Sequence, residues 1–454
     1  MQDGTKTAMD IETFEDDLLG LKEFSEKLGK FIKTEHRYVE GSLVIALSSK
    51  YGSGKSAFLR MWKSSLKGED GSPLVISLNA WESDYFGDPL FAIISELAAS
   101  QDPESDPAKK IINAVKDFGW FATAVGGQIV KKATGVDAVA AGKLPEVKQA
   151  KRNEGLKTTG DTFSVYEGRK RAMNSLKDAI QELVGGDKPR VLFLVDELDR
   201  CRPDYAISYL ETIKHIFDIQ GVVFLLAADR QQLENSARMA FGKDLDFDEY
   251  YRKFIHREIS LPELTNENYK SLADKYVHFY LKGEGDRKCA TELGQYREKY
   301  IKELISGLKL TPRQIQEVFR MLGHLFEAQD HEKEGKLLWC ISVGSILMAA
   351  LKIGNDKAYR SIGVEKLEPI EAKKILTDIT GSKQVSWWFT LILSGGGLKI
   401  KDGQEYKDVM VQAGLLEEGQ QMTDTSQWSQ GWGHESSDRF SQIYDKLERL
   451  AQWV

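Results

Sequence analysis

A strand-like run that meets a glycine turn and then a helical pattern is the feature that most constrains this chain. Residues 43–62 read LVIALSSKYGSGKSAFLRMW. The apolar run at 43–47 is typical of a buried strand, and the apolar positions within 58–62 are typical of a helix. A tight glycine turn at 52–54 joins the two. Strand, glycine loop and helix in this order predict a phosphate-binding loop within an α/β domain.

The chemistry of this loop follows from its residue types. Glycine lets the backbone approach a ligand closely, so that successive N–H groups can point at phosphate oxygens, and the helix N-terminus adds partial positive charge. We expect Lys55 to reach the β- and γ-phosphates and the hydroxyl of Ser56 to bind Mg²⁺. The predicted nucleotide-binding residues are Tyr51, Gly52, Ser53, Gly54, Lys55, Ser56 and Ala57.

The loop departs from the usual pattern at one position. The pattern places glycine five residues before Gly54, where this chain has Ser49. Serine turns less easily than glycine, but it leaves the N–H groups, the lysine and the hydroxyl in place. Taken alone, the stretch is also compatible with a chance glycine turn that carries a solvated Lys55.

A second stretch, whose Asp196 lies 141 residues after Lys55, favours the nucleotide interpretation. Residues 190–200 read RVLFLVDELDR, in which a buried-strand pattern ends at Asp196 and Glu197. A carboxylate at a strand end beside a phosphate-binding loop holds the metal, which assigns Mg²⁺ to Ser56 and Asp196. Glu197 is then the candidate base for the attacking water. An acidic cluster after a strand is often only a turn, and it becomes specific through its pairing with the loop.

Composition describes a globular protein without a charge signature for a particular partner. The 454 residues are 41% hydrophobic and 29% charged, with a net charge of −7. Three scattered cysteines without metal spacing are typical of a reducing compartment, so we expect a cytoplasmic protein. The apolar stretches 118–130 and 337–351 fall short of the roughly 20 residues of a spanning helix, so we expect no membrane span.

Two further apolar runs complete the predicted sheet. Residues 73–82 and 221–230 read as buried strands, and four such strands that alternate with helices predict a doubly wound parallel α/β core. The strand ends line the ligand crevice of such a sheet. Asn79 or Glu82 is therefore a candidate to reach the γ-phosphate or its water, and Asp229 to sense it. Equally, the neighbouring Trp81 could simply pack against the sheet edge.

Beyond residue 262 the pattern becomes helical. We predict an NTPase core at 1–262 that contains an insertion at 100–165, a helical lid at 263–330 and a mainly helical C-terminal accessory region at 331–454. Arg313, in the first turn of a predicted lid helix, is a candidate to contact the phosphates.

A basic segment near the end of the core suggests a role between subunits. Residues 250–262 read YYRKFIHREISLP. In ring or dimer NTPases an arginine on such a segment can reach the γ-phosphate of a neighbour, which makes Arg252 and Arg257 candidates and predicts a homo-oligomer. The alternative is a solvated basic edge with no catalytic part.

Taken together, these stretches resemble the KAP family of P-loop NTPases, which is related to the STAND and AAA+ ATPases. The stretches, in family order over about residues 16–325, are DDLLGLKEFSEKL, YGSGKS, ISLNAW, FLVDELDRC, FLLAADR, YYRKFIHREISLPEL and LTPRQIQEVFR. The family usually has Gly where Ser49 stands and Asp where Glu197 stands. The resemblance implies ATP and Mg²⁺ as cofactors, with Lys55, Ser56, Asp196 and Glu197 in the roles given above and Asp229 and Arg313 at sensor-like positions.

The resemblance also bears on biological role. Bacterial members are often found in antiphage systems beside an effector, which implies a Mg²⁺-dependent ATPase that assembles or switches and regulates a protein effector supplied in trans. One alternative is an ATP-bound scaffold that does not hydrolyse. Another is a nucleic-acid-stimulated ATPase, which the acidic balance does not favour. The sequence lacks an Asn-Lys-x-Asp guanine signature, so we expect ATP rather than GTP.

Overall fold

The architecture was derived from a computed structural model of the chain. It describes residues 12–49, 52–67, 71–100, 109–110, 174–182, 184, 190–282, 294–327, 338–382, 384–420, 426–433 and 438–451. The chain divides into two compact units. One comprises residues 10–17 and 21–262, and the other comprises residues 1–9, 18–20 and 263–454.

Within the described part of the first unit, five strands form one parallel sheet. The strands are β1 (Leu43–Ser48), β2 (Leu74–Asn79), β3 (Val191–Asp196), β4 (Val222–Ala228) and β5 (Arg257–Ile259). Their spatial order is β2-β3-β4-β1-β5, and every neighbouring pair is parallel. The predicted α/β fold with a parallel sheet is therefore confirmed, together with the four strands that the apolar runs predicted.

The central strands are apolar because helices cover both of their faces. Every residue of β4 is buried, as are the first five residues of β1 and of β3. Near-continuous apolar runs are typical of parallel strands in this position. In the core, Phe193 of β3 stacks on Phe224 of β4, with ring centroids 4.6 Å apart, and Phe217 meets both rings edge-on.

The fifth strand was not predicted. β5 pairs with Ile45–Leu47 of β1 at the edge of the sheet, but its sequence is Arg-Glu-Ile and its first two residues are exposed. A short, polar edge strand lacks the apolar run by which the other strands were found. Backbone pairing with β1, rather than side-chain burial, defines it.

Helices before, between and after the strands complete this unit. They are α1 (Lys22–Glu35), α2 (Lys55–Leu66), α3 (Ala80–Asp84), α4 (Pro89–Ala99), α5 (174–182), α6 (Pro203–Ile216), α7 (Arg230–Phe241) and α8 (Phe247–Arg252). Two of them start on the capping residues that the local sequence offers. Asp88 accepts the N–H of Leu90 at the start of α4, and Asn79 accepts the N–H groups of Trp81 and Glu82 at the start of α3.

The second unit is helical in its described residues. Its helices are α9 (Asn266–Val277), α10 (Gly294–Gly307), α11 (Pro312–Glu327), α12 (Trp339–Gly354), α13 (Asp356–Arg360), α14 (Pro369–Thr380), α15 (Val385–Ser394), α16 (Tyr406–Gln412), α17 (Ser426–Trp432) and α18 (Arg439–Ala451). Two π-helical turns, His278–Lys282 and Ser361–Glu365, follow α9 and α13. No helix in the described ranges combines the length and the apolar character of a bilayer span.

Two predictions about domain organisation stay predictions. The proposed insertion at 100–165 lies almost wholly outside the described residues. The proposed boundaries, including the separation of a lid at 263–330 from an accessory region at 331–454, are a finer division than the two units and are not tested by them.

Candidate functional site

Most of the predicted site residues of the first unit lie at the carboxyl edge of its sheet. Strand register places Ser48 beside Ala228, Asp196 beside Ala227, and Asn79 beside Asp196. The chain leaves each of these strands at the same edge, because all of them are parallel. Polar groups that are far apart in the sequence therefore line one crevice, where ligands of such sheets bind.

The glycine turn has the geometry that a phosphate-binding loop requires. Gly52 and Gly54 have φ values of 78° and 99°, in the left-handed region that glycine adopts without strain. Helix α2 begins at Lys55, directly after the turn. Lys55 is 9% exposed, and its ammonium donates a hydrogen bond of 2.5 Å to the carbonyl oxygen of Ser49. Lys55 thus already points back over the loop.

Ser49, the departure from the motif, has a specific contact. Its hydroxyl oxygen accepts a hydrogen bond of 3.0 Å from the backbone N–H of Leu261, two residues beyond β5. A glycine could not accept this bond through a side chain. The serine therefore ties the start of the phosphate loop to the segment that follows the edge strand.

Ser56 and Asp196, the residues predicted to hold Mg²⁺, lie near each other, and their role as metal ligands stays a prediction. The Ser56 hydroxyl, on the first turn of α2, lies near the Asp196 carboxylate at the end of β3. Burial is the main cause that raises the pKa of Asp196 above its ordinary value, and the nearby Ser56 hydroxyl opposes this shift. A hydroxyl beside a carboxylate is a donor set that suits Mg²⁺.

The loop also fits phosphate. The hydroxyl oxygen of Ser53 is buried and has no hydrogen-bond partner among the described residues, although buried hydroxyls are usually partnered. A phosphate oxygen would supply that partner. Of the other predicted nucleotide-binding residues, Ala57 lies in the first turn of α2, and Tyr51 lies outside the described residues.

Glu197, the candidate base, is held by two donors. Its backbone is left-handed, with φ 61°, which costs a residue other than glycine about 1–3 kcal/mol and is often found at functional sites. One carboxylate oxygen, Oε2, accepts from Asn79 Nδ2 at 3.2 Å, and the other, Oε1, lies 2.9 Å from the Arg200 guanidinium. Both oxygens are thus positioned by side chains of neighbouring elements.

Sequence reasoning considered Asn79 and missed Arg200. Asn79 was considered for a contact with phosphate or its water, and its amide also bonds Glu82. The Arg200 guanidinium lies 5.6 Å from the ring centroid of Trp81, which is 52% exposed rather than packed into the sheet. Glu197 directly precedes the short 3₁₀ turn Leu198–Arg200 and lies three residues before Arg200. This spacing is the sequence signal from which their ion pair could have been predicted.

Asp229 has a local structural role in this arrangement. Its carboxylate accepts the N–H of Gln231 and caps α7, and its own N–H donates to Asp199 at 2.9 Å. It stands directly after β4, at the same edge as Asp196. Its predicted role as a sensor stays a prediction.

Arg252 and Arg257 lie toward the opposite end of the edge strand. Arg257 pairs with Ile45, four residues before Ser49 and therefore about 13 Å along the strand. Its guanidinium is 2.7 Å from Glu35 at the end of α1. Arg252, at the end of α8, is exposed and forms no ion pair with the described residues. A contact of either with phosphate would suit a neighbouring subunit better than their own.

The last predicted site residue belongs to the second unit. Arg313 is exposed in the first turn of α11, and its predicted contact with phosphate stays a prediction.

Comparison with known proteins agrees with this geometry. The model of the KAP family P-loop domain matches residues 21–327, which is more than half of the chain. No relative was found among curated proteins. Solved structures of the Aeropyrum pernix ORC2 protein are similar over almost the whole chain. Its ADPNP-ADP complexes align at 11% identity and TM-score 0.34, covering 97% of this chain and 96% of that one. Its ADP form aligns at 12% identity and TM-score 0.32, covering 95% and 93%. TM-scores this low do not establish a structural relationship.

Proposed function

Because the chain belongs to the KAP family of P-loop NTPases, we propose that it is a Mg²⁺-dependent ATPase. The observation that carries the proposal is the meeting of Ser56 and Asp196. These residues stand 140 positions apart, on α2 and β3, and the Ser56 hydroxyl lies near the Asp196 carboxylate and lowers its pKa. A metal-holding pair next to a phosphate-binding loop is the arrangement that phosphoryl transfer requires.

Each group of residues in the crevice has its own proposed role. The loop N–H groups, the Ser53 hydroxyl and Lys55 hold the phosphates, and Ser56 and Asp196 hold the cation. Mg²⁺, when bound, neutralises phosphate charge. Glu197, held by Asn79 and Arg200, accepts a proton from the attacking water. ATP rather than GTP is proposed because the sequence has no guanine signature.

Two substitutions test the roles proposed for Lys55 and Glu197. We expect Lys55→Ala to weaken MgATP binding at least about tenfold, because the loop loses the ammonium proposed to hold the β- and γ-phosphates. We expect Glu197→Gln to retain binding and to lower turnover by about 10²–10⁴-fold. Binding is measured by isothermal titration calorimetry and turnover by phosphate release.

Lys63→Ala, on the last turn of the same helix, is the matched control and should leave both quantities unchanged. Wild-type turnover in Lys55→Ala would refute the proposed site. MgATP binding without measurable turnover in the wild-type chain would instead support the ATP-bound scaffold.

We propose further that ATP drives assembly of the chain with itself. The support is the exposed Arg252 and the edge position of Arg257, from which a guanidinium could act on a neighbour. The test is the mass of Glu197→Gln in solution with and without MgATP. A defined oligomer that Arg252→Ala prevents would support assembly, and an unchanged monomer that binds MgATP would refute it. Regulation of a protein effector in antiphage defence in the cytoplasm rests on the family resemblance alone.

A further inference from the structure

The arginine that holds Glu197 is itself held by an aromatic side chain. Arg200 lies on the 3₁₀ turn Leu198–Arg200, and its guanidinium is 2.9 Å from Glu197 Oε1. The same guanidinium lies over the Trp81 ring, 5.6 Å from the centroid. Trp81 belongs to α3, which begins directly after β2. The contact therefore joins α3 to the 3₁₀ turn that follows β3.

Trp81 occupies an unusual position for so large an apolar side chain. It is 52% exposed, so that burial does not explain its placement. The Arg200 side chain is 32% exposed. A guanidinium is attracted to the face of an indole within about 6 Å, and the attraction increases when the cation is partly desolvated.

The Glu197 carboxylate needs this support for a physical reason. Its backbone is left-handed, so the side chain leaves the main chain in an uncommon direction, and a free carboxylate would sample several rotamers. A general base must lie within hydrogen-bond reach of the water whose proton it accepts. An arginine that is fixed against a ring loses less freedom on binding a carboxylate than a free lysine does.

We propose that Arg200 and Trp81 form a positioning pair for Glu197 and that this pair sets the rate of ATP hydrolysis without taking part in nucleotide binding. Trp81 holds the guanidinium, and the guanidinium holds carboxylate oxygen Oε1 while Oε2 remains on Asn79. Neither residue touches the reacting atoms. The inference rests on the proposed hydrolytic role of Glu197.

The experiment compares turnover with nucleotide affinity. We expect Arg200→Ala to lower kcat about tenfold to a hundredfold, in line with the cost of a misplaced catalytic group, with KM for MgATP within about threefold of wild type. We expect Arg200→Lys to recover part of the loss. Trp81→Ala should lower kcat about fivefold, and Trp81→Phe, which retains an aromatic face, should stay close to wild type.

The double variant distinguishes a positioning role from a merely structural one, because it tests whether the losses in kcat are independent. If Trp81 acts through Arg200, adding Trp81→Ala to Arg200→Ala will lower kcat no further. Arg37→Ala, which removes an exposed arginine before β1, is the control for loss of one charge. The melting temperature of every variant shows whether it is folded.

Each other result overturns the inference. Four results would each refute the positioning pair while Glu197→Gln still lowers turnover. They are wild-type kcat in a folded Arg200→Ala, a loss confined to KM, an equal loss in Arg37→Ala, and independent losses in the double variant. A wild-type chain that binds MgATP without hydrolysis, or a Glu197→Gln variant that hydrolyses normally, would refute the proposed hydrolytic function as well.

Discussion

At the scale of single residues, Ser49 shows how a departure from a motif can acquire a contact of its own. Its carbonyl accepts from Lys55, and its hydroxyl accepts from the Leu261 N–H. One residue therefore links the lysine of the phosphate loop to the backbone after β5. If Lys55 exchanges the Ser49 carbonyl for a phosphate oxygen when nucleotide binds, Ser49 loses one of its two contacts.

Ser49→Gly, which restores the motif glycine, is expected to free the Leu261 amide. A net hydrogen bond is worth about 1 kcal/mol, so exchange of this amide should become about fivefold faster. Hydrogen exchange of peptides that cover 257–265 measures the effect. Ser49→Thr, which keeps the hydroxyl, and peptides from β4 serve as controls. Equal protection in Ser49→Gly and wild type would show that the hydroxyl does not hold Leu261.

At the scale of elements, an ion pair between the buried Asp84 of α3 and the exposed Arg202 joins α3 to the start of α6. The Asp84 carboxylate is 6% exposed and accepts from the backbone N–H and the Nε of Arg202, at 2.8 and 2.9 Å. Arg202 in turn donates to the Asp84 carbonyl. Because α3 follows Asn79 and α6 follows the Glu197 turn, this pair maintains the spacing between the two elements that hold the Glu197 carboxylate.

Asp84→Ala is therefore expected to destabilise the fold. The unfolding free energy should fall by about 1–3 kcal/mol, the usual cost of an unsatisfied buried group, and at the lower end of that range because the Arg202 side chain can hydrate. Urea denaturation measures it, with Asp244→Ala, at an exposed position, as the control. A change within about 0.5 kcal/mol, typical of surface substitutions, would contradict the structural role of the pair.

At the scale of the whole molecule, two histidines link stability to pH. His36 Nε2 accepts from the Gly221 N–H at 2.9 Å, and His256 Nδ1 accepts from the Val44 N–H at 3.0 Å, so each must be unprotonated at the accepting nitrogen. Burial is the main cause that lowers the pKa of both. For His256, the nearby Lys214 and Arg257 lower the pKa further, while the Asp218 carboxylate raises it.

The sign of the effect follows from linkage. Below the unfolded histidine pKa of about 6.5, the unfolded chain binds more protons than the folded chain, so stability falls as the pH falls toward the lowered folded values. Each histidine contributes up to about 1.4 kcal/mol per pH unit in that window. Urea denaturation at pH 7.5 and 5.5 measures the loss. His36→Gln combined with His256→Asn keeps an acceptor at each position and should reduce it, and an unchanged loss would refute the assignment.

The sequence by itself determined the elements whose signals are local. The apolar runs predicted β1 to β4, the glycine turn predicted the phosphate loop, and the acidic end of β3 predicted the partner of Ser56. Each of these signals lies within a few neighbouring residues, because strand burial depends on local apolar periodicity and a tight turn depends on glycine. A parallel sheet with a nucleotide crevice could therefore be predicted before any tertiary contact was known.

Only the tertiary structure decided which distant groups meet. The order β2-β3-β4-β1-β5 brings Asn79 to Glu197 across 118 positions and Leu261 to Ser49 across 212. No local pattern encodes such contacts, since they depend on strand order and register. The same reason explains why the polar β5, defined by pairing with β1, and the stacking of Arg200 on Trp81 escaped prediction. Chemistry at the strand ends is readable in the sequence, whereas the support that positions it arises from packing between elements.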